Sequence, residues 1–279
     1  MKTTHPVLII GATAKTGRRV ANLLSQSGQP VRAVSRSTTP AFDWENPATW
    51  APVLDGVRQA YITFQPDLAI PVAEETIRGF AHTARQAGVE HLVLLSGRGE
   101  EGAQRAEQVL QESGLDWNVV RASWFNQNFD EGMLRDSILE GHLMLPIGDV
   151  PEPFIDVDDI ADVAFATLTQ QELRNRVFEV TGPALMTFAD CVQSIAEATG
   201  RPIQYSQVPL ADFLSGMRAA GQPEGVLWLL ELLFTDVLDG RNSKVTDGVE
   251  QALGRPARSF DDYVAKVVAA NGWADAIVA

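Results

Sequence analysis

The chain has 279 residues, 45% of them hydrophobic and 21% charged, which suits a large soluble domain or a core domain with an elaborated second lobe. A formal net charge of −14 argues against nucleic acid and against an anionic membrane surface, since both need a basic patch. Cys191 is the only cysteine, and His5, His82, His91 and His142 show no ligand spacing, so neither a disulfide framework nor a metal site is expected.

The first element is VLII (7–10), a short apolar run closed by Gly11, which predicts a fully buried parallel strand. Residues 17–27 place Val20, Leu23 and Leu24 at helical spacing and stop at Gly28. VRAVS (31–35) predicts a second strand, and AYITF (60–64), closed by Pro66, a third. A helix over 71–87 ends at Gly88, HLVLLS (91–96) reads as a strand, a helix over 103–113 ends at Gly114, and WNVVRA (117–122) reads as a strand. This alternation predicts an α/β fold, a Rossmann-type doubly wound parallel sheet with helices on both faces.

Beyond about residue 123 the rhythm loosens. PFIDVDDIADVAFATL (153–168) leads into a helix with Asp156 or Asp158 as N-cap, and VFEVTG (177–182) adds one strand. Helices follow over 187–199, over much of 209–239 around VLWLLELLF (226–234), and near 260–270. The expected organisation is a nucleotide-binding core over 1–150, joined by the strand near 177–182, and a smaller, mainly helical substrate lobe over 151–279.

The junction GATAKTG carries the most chemistry. A glycine after the first strand permits the sharp turn, a second normally lets the backbone approach a pyrophosphate, and a third lets helix and strand pack closely. The helix N-terminus then offers N–H groups to the phosphates. Here the positions are Gly11, Ala14 and Gly17, so one methyl stands where close approach matters, while Lys15 and Thr16 offer a charge and a hydroxyl. After the second strand comes Arg36, with no acid until Asp43. An NAD-preferring site places an acid there for the ribose hydroxyls, whereas Arg36, helped by Arg32 or Lys15, suits a 2′-phosphate, so NADPH is expected over NADH.

With those residues in place, the chain resembles the NmrA-like branch of the atypical short-chain dehydrogenase/reductases. GATAKTGRRV, VRAVSRS, LVLLSGRG, ESGLDWNVVRASWFNQNF, PFIDVDDIADVAFATL, FEVTGPALMTFADCVQSIAEATGRPI and VEQALGRPARSFDDYV run in order from residue 7 to about 264. That branch includes triphenylmethane reductases, ergot-alkaloid reductases and NADPH-sensing regulators. The resemblance implies that Thr13, Ala14, Lys15, Thr16, Gly17 and Arg36 meet the cofactor phosphates and adenosine ribose. It further implies Asp43 near the adenine, Phe64, Gln65, Pro66 and Ser96 near the nicotinamide half, and a substrate pocket along 123–129. Ala14 departs from the family's usual glycine.

Short-chain reductases of carbonyls use a tyrosine acid with a lysine four residues on. No tyrosine here has one: the tyrosines are Tyr61, Tyr205 and Tyr263, the lysines Lys2, Lys15, Lys244 and Lys266. Ser96 is the remaining candidate for orienting a substrate or a water, and Glu107 is expected on a helix face well past the strand end. Trp124, Phe125, Phe129, Phe154 and Trp228, with Asn128, are the pocket candidates and would suit a flat, apolar molecule. The expected function is NADPH-dependent reduction of an iminium, a stabilised cation or an activated double bond. An NADP(H) sensor with a protein partner and a redox-neutral isomerase, cyclase or lyase on the same fold remain alternatives. No apolar stretch approaches the roughly 18 residues of a membrane span and no signal peptide is visible, so the cytoplasm is the expected location.

Overall fold

The apolar run Val7–Ile10 becomes β1, flanked on both sides within a six-stranded parallel sheet, in a computed structural model that describes residues 5–274. In chain order there follow α1 (Lys15–Gln26), β2 (Val31–Val34), α2 (Trp50–Leu54), β3 (Gln59–Ile62), α3 (Ala73–Gln86), β4 (His91–Gly97), α4 (Glu101–Gln111) and β5 (Asp116–Ala122). Next come α5 (Arg135–Glu140), β6 (His142–Leu145), α6 (Val157–Thr169), β7 (Arg176–Val180), α7 (Phe188–Thr199) and β8 (Gln204–Gln207). The chain closes with α8 (Leu210–Ala219), α9 (Glu224–Leu232), α10 (Gly248–Leu253) and α11 (Phe260–Ala269).

The chain divides into two compact units. The first holds the residues up to Ala122 together with Val157–Val180 and Asp247–Arg255; the second holds Ser123–Asp156, Thr181–Thr246 and the residues from Pro256 on.

In the first unit the sheet order is β2-β1-β3-β4-β5-β7, and every pairing is parallel. Alternate residues Leu8, Ile10, Ala60, Ile62, Leu92 and Leu94 share one buried cluster with Ile77 and Phe80 of α3 and Leu110 of α4. On the other face α1 packs on α6, which also lies against β3, β4 and β5. Burial on both faces is why these strands read as unbroken apolar runs rather than alternating ones. Each enclosed Leu or Ile contributes about 1.5–3 kcal/mol by leaving water. Asp158 lies inside the first turn of α6 and pairs with Arg19 of α1 at 2.6 Å, so it is not that helix's cap. The short helix α10 lies so close to β7 that a Cβ on Gly248 would meet the Glu179 carbonyl, so glycine is required there.

The second unit has its own two-stranded parallel sheet, β6 with β8, which the sequence pattern does not announce. Its core is aromatic: Phe129, Phe154, Phe188, Phe260, Tyr263 and Trp273 share one buried cluster. The helices that frame it are well punctuated. Thr187 and Asp190 form a capping box at α7, Ser259 and Asp262 form another at α11, and Gly200 ends α7 at φ 66°. Among the described residues no helix is long and apolar enough to cross a membrane.

Candidate functional site

The turn after β1 is built as its glycines require. Gly11 sits at φ +81°, and a Cβ there would overlap the Thr63 hydroxyl, which donates to the Ile10 carbonyl at 3.2 Å. The Ala14 N–H closes the turn onto the Gly11 carbonyl at 2.9 Å. A Cβ on Gly17 would run into that same carbonyl, so only glycine lets α1 close on the turn. Ala14 is the N-cap of α1 at φ −75° and ψ 166°, an extended backbone that asks for no glycine. Its methyl also caps nothing, so the N-cap residue itself does not compete for the N–H groups that an anion would use.

Beside this turn a cavity of about 570 Å³ opens at the carboxyl ends of β1, β2 and β3. Gly11, Thr13, Arg36, Asp43, Gln65 and Pro66 of the expected set line it, and Phe42, Trp44, Glu45 and Thr63 add walls that the sequence did not single out. Arg36 is exposed and has no hydrogen-bond or ion-pair partner among the described residues. Arg32 is not available to help it, because its guanidinium donates to the carbonyls of Val53 at 2.8 Å and Asp55 at 2.5 Å. Trp44 is fixed by its indole N–H, which donates to the Thr63 carbonyl at 3.0 Å, and by Phe64, whose ring centroid lies 5.0 Å away. Phe64 therefore backs the wall instead of facing the cavity. Lys15, Thr16 and Gly17 form the first turn of α1 behind the loop, with Thr16 buried.

Ser96 is also absent from the wall. It is buried, and its hydroxyl donates to Glu107 Oε1 at 2.5 Å. Glu107 is 1% exposed and meets Ser96 of β4 and Arg121 of β5, which corrects the expectation of a helix face well past the strand end. The Arg121 guanidinium grips both oxygens of Glu107 and reaches Glu179 Oε2 at 3.2 Å, while Arg98 Nε donates to Glu179 Oε1 at 3.0 Å. The bond to Glu107 is the main cause that holds the Arg121 pKa above its ordinary value. Ser96 thus belongs to a buried ionic network, and its one proton is already spent.

None of the tyrosines is presented as an acid. Tyr61 is sealed in the core, and burial raises its pKa. Tyr205 donates to the Ile147 carbonyl at 2.5 Å, and burial pushes its pKa up to about 12. Tyr263 donates to Asp130 Oδ1 at 2.7 Å; burial and that carboxylate raise its pKa further.

The pocket candidates of the second unit separate by burial. Phe129 and Phe154 are enclosed in the aromatic core, with Phe154 edge-on to Phe188 at 5.0 Å, so they are packing residues and not pocket walls. Trp124, Phe125 and Asn128 are half-buried, and Trp228 is 42% exposed. Asn126, adjacent to these, is buried with neither side-chain amide atom hydrogen-bonded.

A family model described as NAD(P)H-binding matches residues 11–171. The NAD(P)H azoreductase of Xenophilus azovorans is 29% identical over 95% of this chain and 99% of its own length. The agroclavine dehydrogenase of Claviceps fusiformis is 30% identical over 92% of this chain and 96% of its own. Among solved structures, the NADPH-dependent quinone oxidoreductase of Escherichia coli, crystallised with NADPH, superposes with a TM-score of 0.79. It covers 94% of this chain and 99% of its own at 18% identity, a likeness of fold.

Proposed function

The chain belongs to the NAD(P)H-binding family, and from that membership we propose that it is an NADPH-dependent reductase of a small, flat, apolar electrophile: an iminium, a stabilised cation or an activated double bond. One observation carries the cofactor preference. Arg36 stands just past the end of β2 on the cavity wall with no partner among the described residues, where a 2′-phosphate would supply one. The turn fits the rest of the dinucleotide: Gly11 and Gly17 keep the backbone tight, Thr13 lines the cavity, and the uncapped start of α1 suits a pyrophosphate. Bound NADPH supplies a hydride. The protein's own part is to hold and orient the reactants and to exclude water.

The acceptor class follows from what the side chains do not offer. A ketone becomes an alkoxide and needs an acid, yet the three tyrosines are enclosed or committed and the Ser96 hydroxyl already donates to Glu107. An iminium or an electron-poor double bond accepts hydride without leaving an alkoxide. Relatives whose names specify azo compounds and agroclavine support this reading. In the second unit, Trp124, Phe125 and Asn128 are the proposed substrate contacts. The test is single-turnover oxidation of bound NADPH with an azo dye, an iminium, a quinone and a matched simple ketone. Oxidation by one of the first three, with the ketone slower by about 10²–10⁴-fold, is expected. Efficient ketone reduction, or tight NADPH binding with no oxidation by any acceptor, would overturn the proposal.

A further inference from the structure

Trp44, in the loop after β2, borders the cavity and is held there from several sides. Its indole N–H donates to the Thr63 carbonyl at 3.0 Å. Phe42 meets its ring edge-on at 4.8 Å, Phe80 does so at 5.1 Å, and Phe64 lies tilted at 5.0 Å. The backbone beside it is equally fixed: the Asp43 N–H donates to Thr49 Oγ1 at 3.0 Å, and the Asp43 carbonyl accepts from the Trp50 indole at 2.9 Å. Trp44 nevertheless stays half-buried, so it keeps surface to offer. Thr63 ties this wall to the turn after β1, because its hydroxyl donates to the Ile10 carbonyl at 3.2 Å and stands where a Cβ on Gly11 would be. The charges along the wall are sorted. Arg36 is its cation, whereas the residues on either side of Trp44 are acids, Asp43 and Glu45. A phosphate is drawn to the first and repelled by the second; an uncharged aromatic base finds a flat ring between the two acids.

We propose that Trp44 is the platform on which the adenine base of the cofactor stacks. The inference rests on the reading that this cavity takes NADPH. In that cofactor the 2′-phosphate and the base sit on adjacent carbons of one ribose, so a phosphate at Arg36 leaves the base no more than one sugar away. Arg36 and Trp44 belong to the same segment after β2, whereas the start of α1, which suits the pyrophosphate, follows β1. The nicotinamide, the other flat group of the dinucleotide, is separated from the 2′-phosphate by the pyrophosphate and a second ribose. Of the two aromatic side chains that border the cavity, Phe42 is 3% exposed, which leaves Trp44 as the ring with surface to give. Stacking on an aromatic side chain uses the π-face that every base has. A ring already immobilised loses little side-chain freedom in accepting one.

The test is calorimetric titration of NADPH and of 2′,5′-ADP, which carries the base and the phosphates without the nicotinamide, into the wild-type protein, Trp44→Phe and Trp44→Leu. Phenylalanine keeps an aromatic face and should bind 2′,5′-ADP within about threefold of wild type. Leucine keeps an apolar wall without a π-face and should lose about tenfold or more, with the same factor for NADPH. Fluorescence separates stacking from support of the fold. Trp44 is one of six tryptophans, so the comparison with Trp44→Phe isolates its emission. 2′,5′-ADP should quench the wild-type emission, and that quenching should be lost in Trp44→Phe although the ligand still binds. This comparison stands even where Trp44→Leu does not fold. Equal affinities of wild type and Trp44→Leu for 2′,5′-ADP, or equal quenching in wild type and Trp44→Phe, would overturn the inference while NADPH binding upholds the cofactor reading. A wild-type protein that binds neither ligand would overturn both.

Discussion

The Ser96 hydroxyl is bonded to Glu107 at 2.5 Å beneath α4, and that one contact turns a candidate catalytic group into part of the scaffold. Ser96→Ala should therefore keep turnover within about threefold. Glu107→Ala should unfold more easily by about 2–4 kcal/mol, because Arg121 loses its main partner in a half-buried position and keeps only Glu179. Urea unfolding of both variants beside steady-state rates checks this; a large loss of turnover in a stable Ser96→Ala protein would return the serine to the chemistry.

Arg36→Ala should weaken NADPH binding by about 10–100-fold, the equivalent of one charge-assisted contact at about 1.5–3 kcal/mol. NADH, which has no 2′-phosphate, should change by less than about threefold. Equal losses for both cofactors, or equal wild-type affinities, would place the charge elsewhere.

Ala14→Asp separates helix stability from anion binding. Aspartate at the N-cap of α1 should raise the stability of the cofactor-free protein by about 1 kcal/mol, since the present N-cap makes no side-chain bond. The same carboxylate should repel the phosphates and cost about tenfold or more in NADPH affinity. Ala14→Gly should leave both properties near wild type, because glycine is an acceptable N-cap and the backbone there is extended. Thermal unfolding with and without NADPH measures the two effects together.

His91 gives the fold an acid limit. Its Nε2–H donates to Asn118 Oδ1 at 2.9 Å, Nδ1 is buried without a partner, and burial lowers its pKa from 6.5 to about 4. Between those values the unfolded chain binds a proton that the folded one refuses. The stabilisation is therefore complete above pH 6.5 and is lost as pH falls toward 4, by up to about 3 kcal/mol. His91→Gln keeps a donor for Asn118 and cannot titrate, so its urea midpoint should fall less than the wild type's between pH 7 and pH 4.5.

Much of the first unit was legible because its elements announce themselves locally. VLII, HLVLLS and WNVVRA are unbroken apolar runs, and Gly28, Gly88 and Gly114 end the helices at positive φ. The strand order needed more: β7 joins β5 from across the inserted segment 123–156, and nothing in the sequence near Arg176 states its partner. The site divided in the same way. Gly11, Gly17 and Arg36 carry their meaning in their neighbours along the chain. Glu107 does not, since the side of α4 that is buried depends on where the sheet lies. Phe129 and Phe154 look like pocket walls by residue type, and only their packing against Phe188 and Phe260 identifies them as core.

The chain passes from one unit to the other at Ala122, Asp156, Val180, Thr246 and Arg255. Neither unit is a cassette. A chimaera that exchanged one for a relative's would need matched cuts at all five junctions, and a simple fusion of halves would strand α6, β7 and α10 on the wrong parent. Synthesis meets the same order: α10, which covers Glu179 at Gly248, leaves the ribosome only after most of the second unit. The nascent sheet must wait with β7 uncovered, and a truncation before Asp247 would keep it that way.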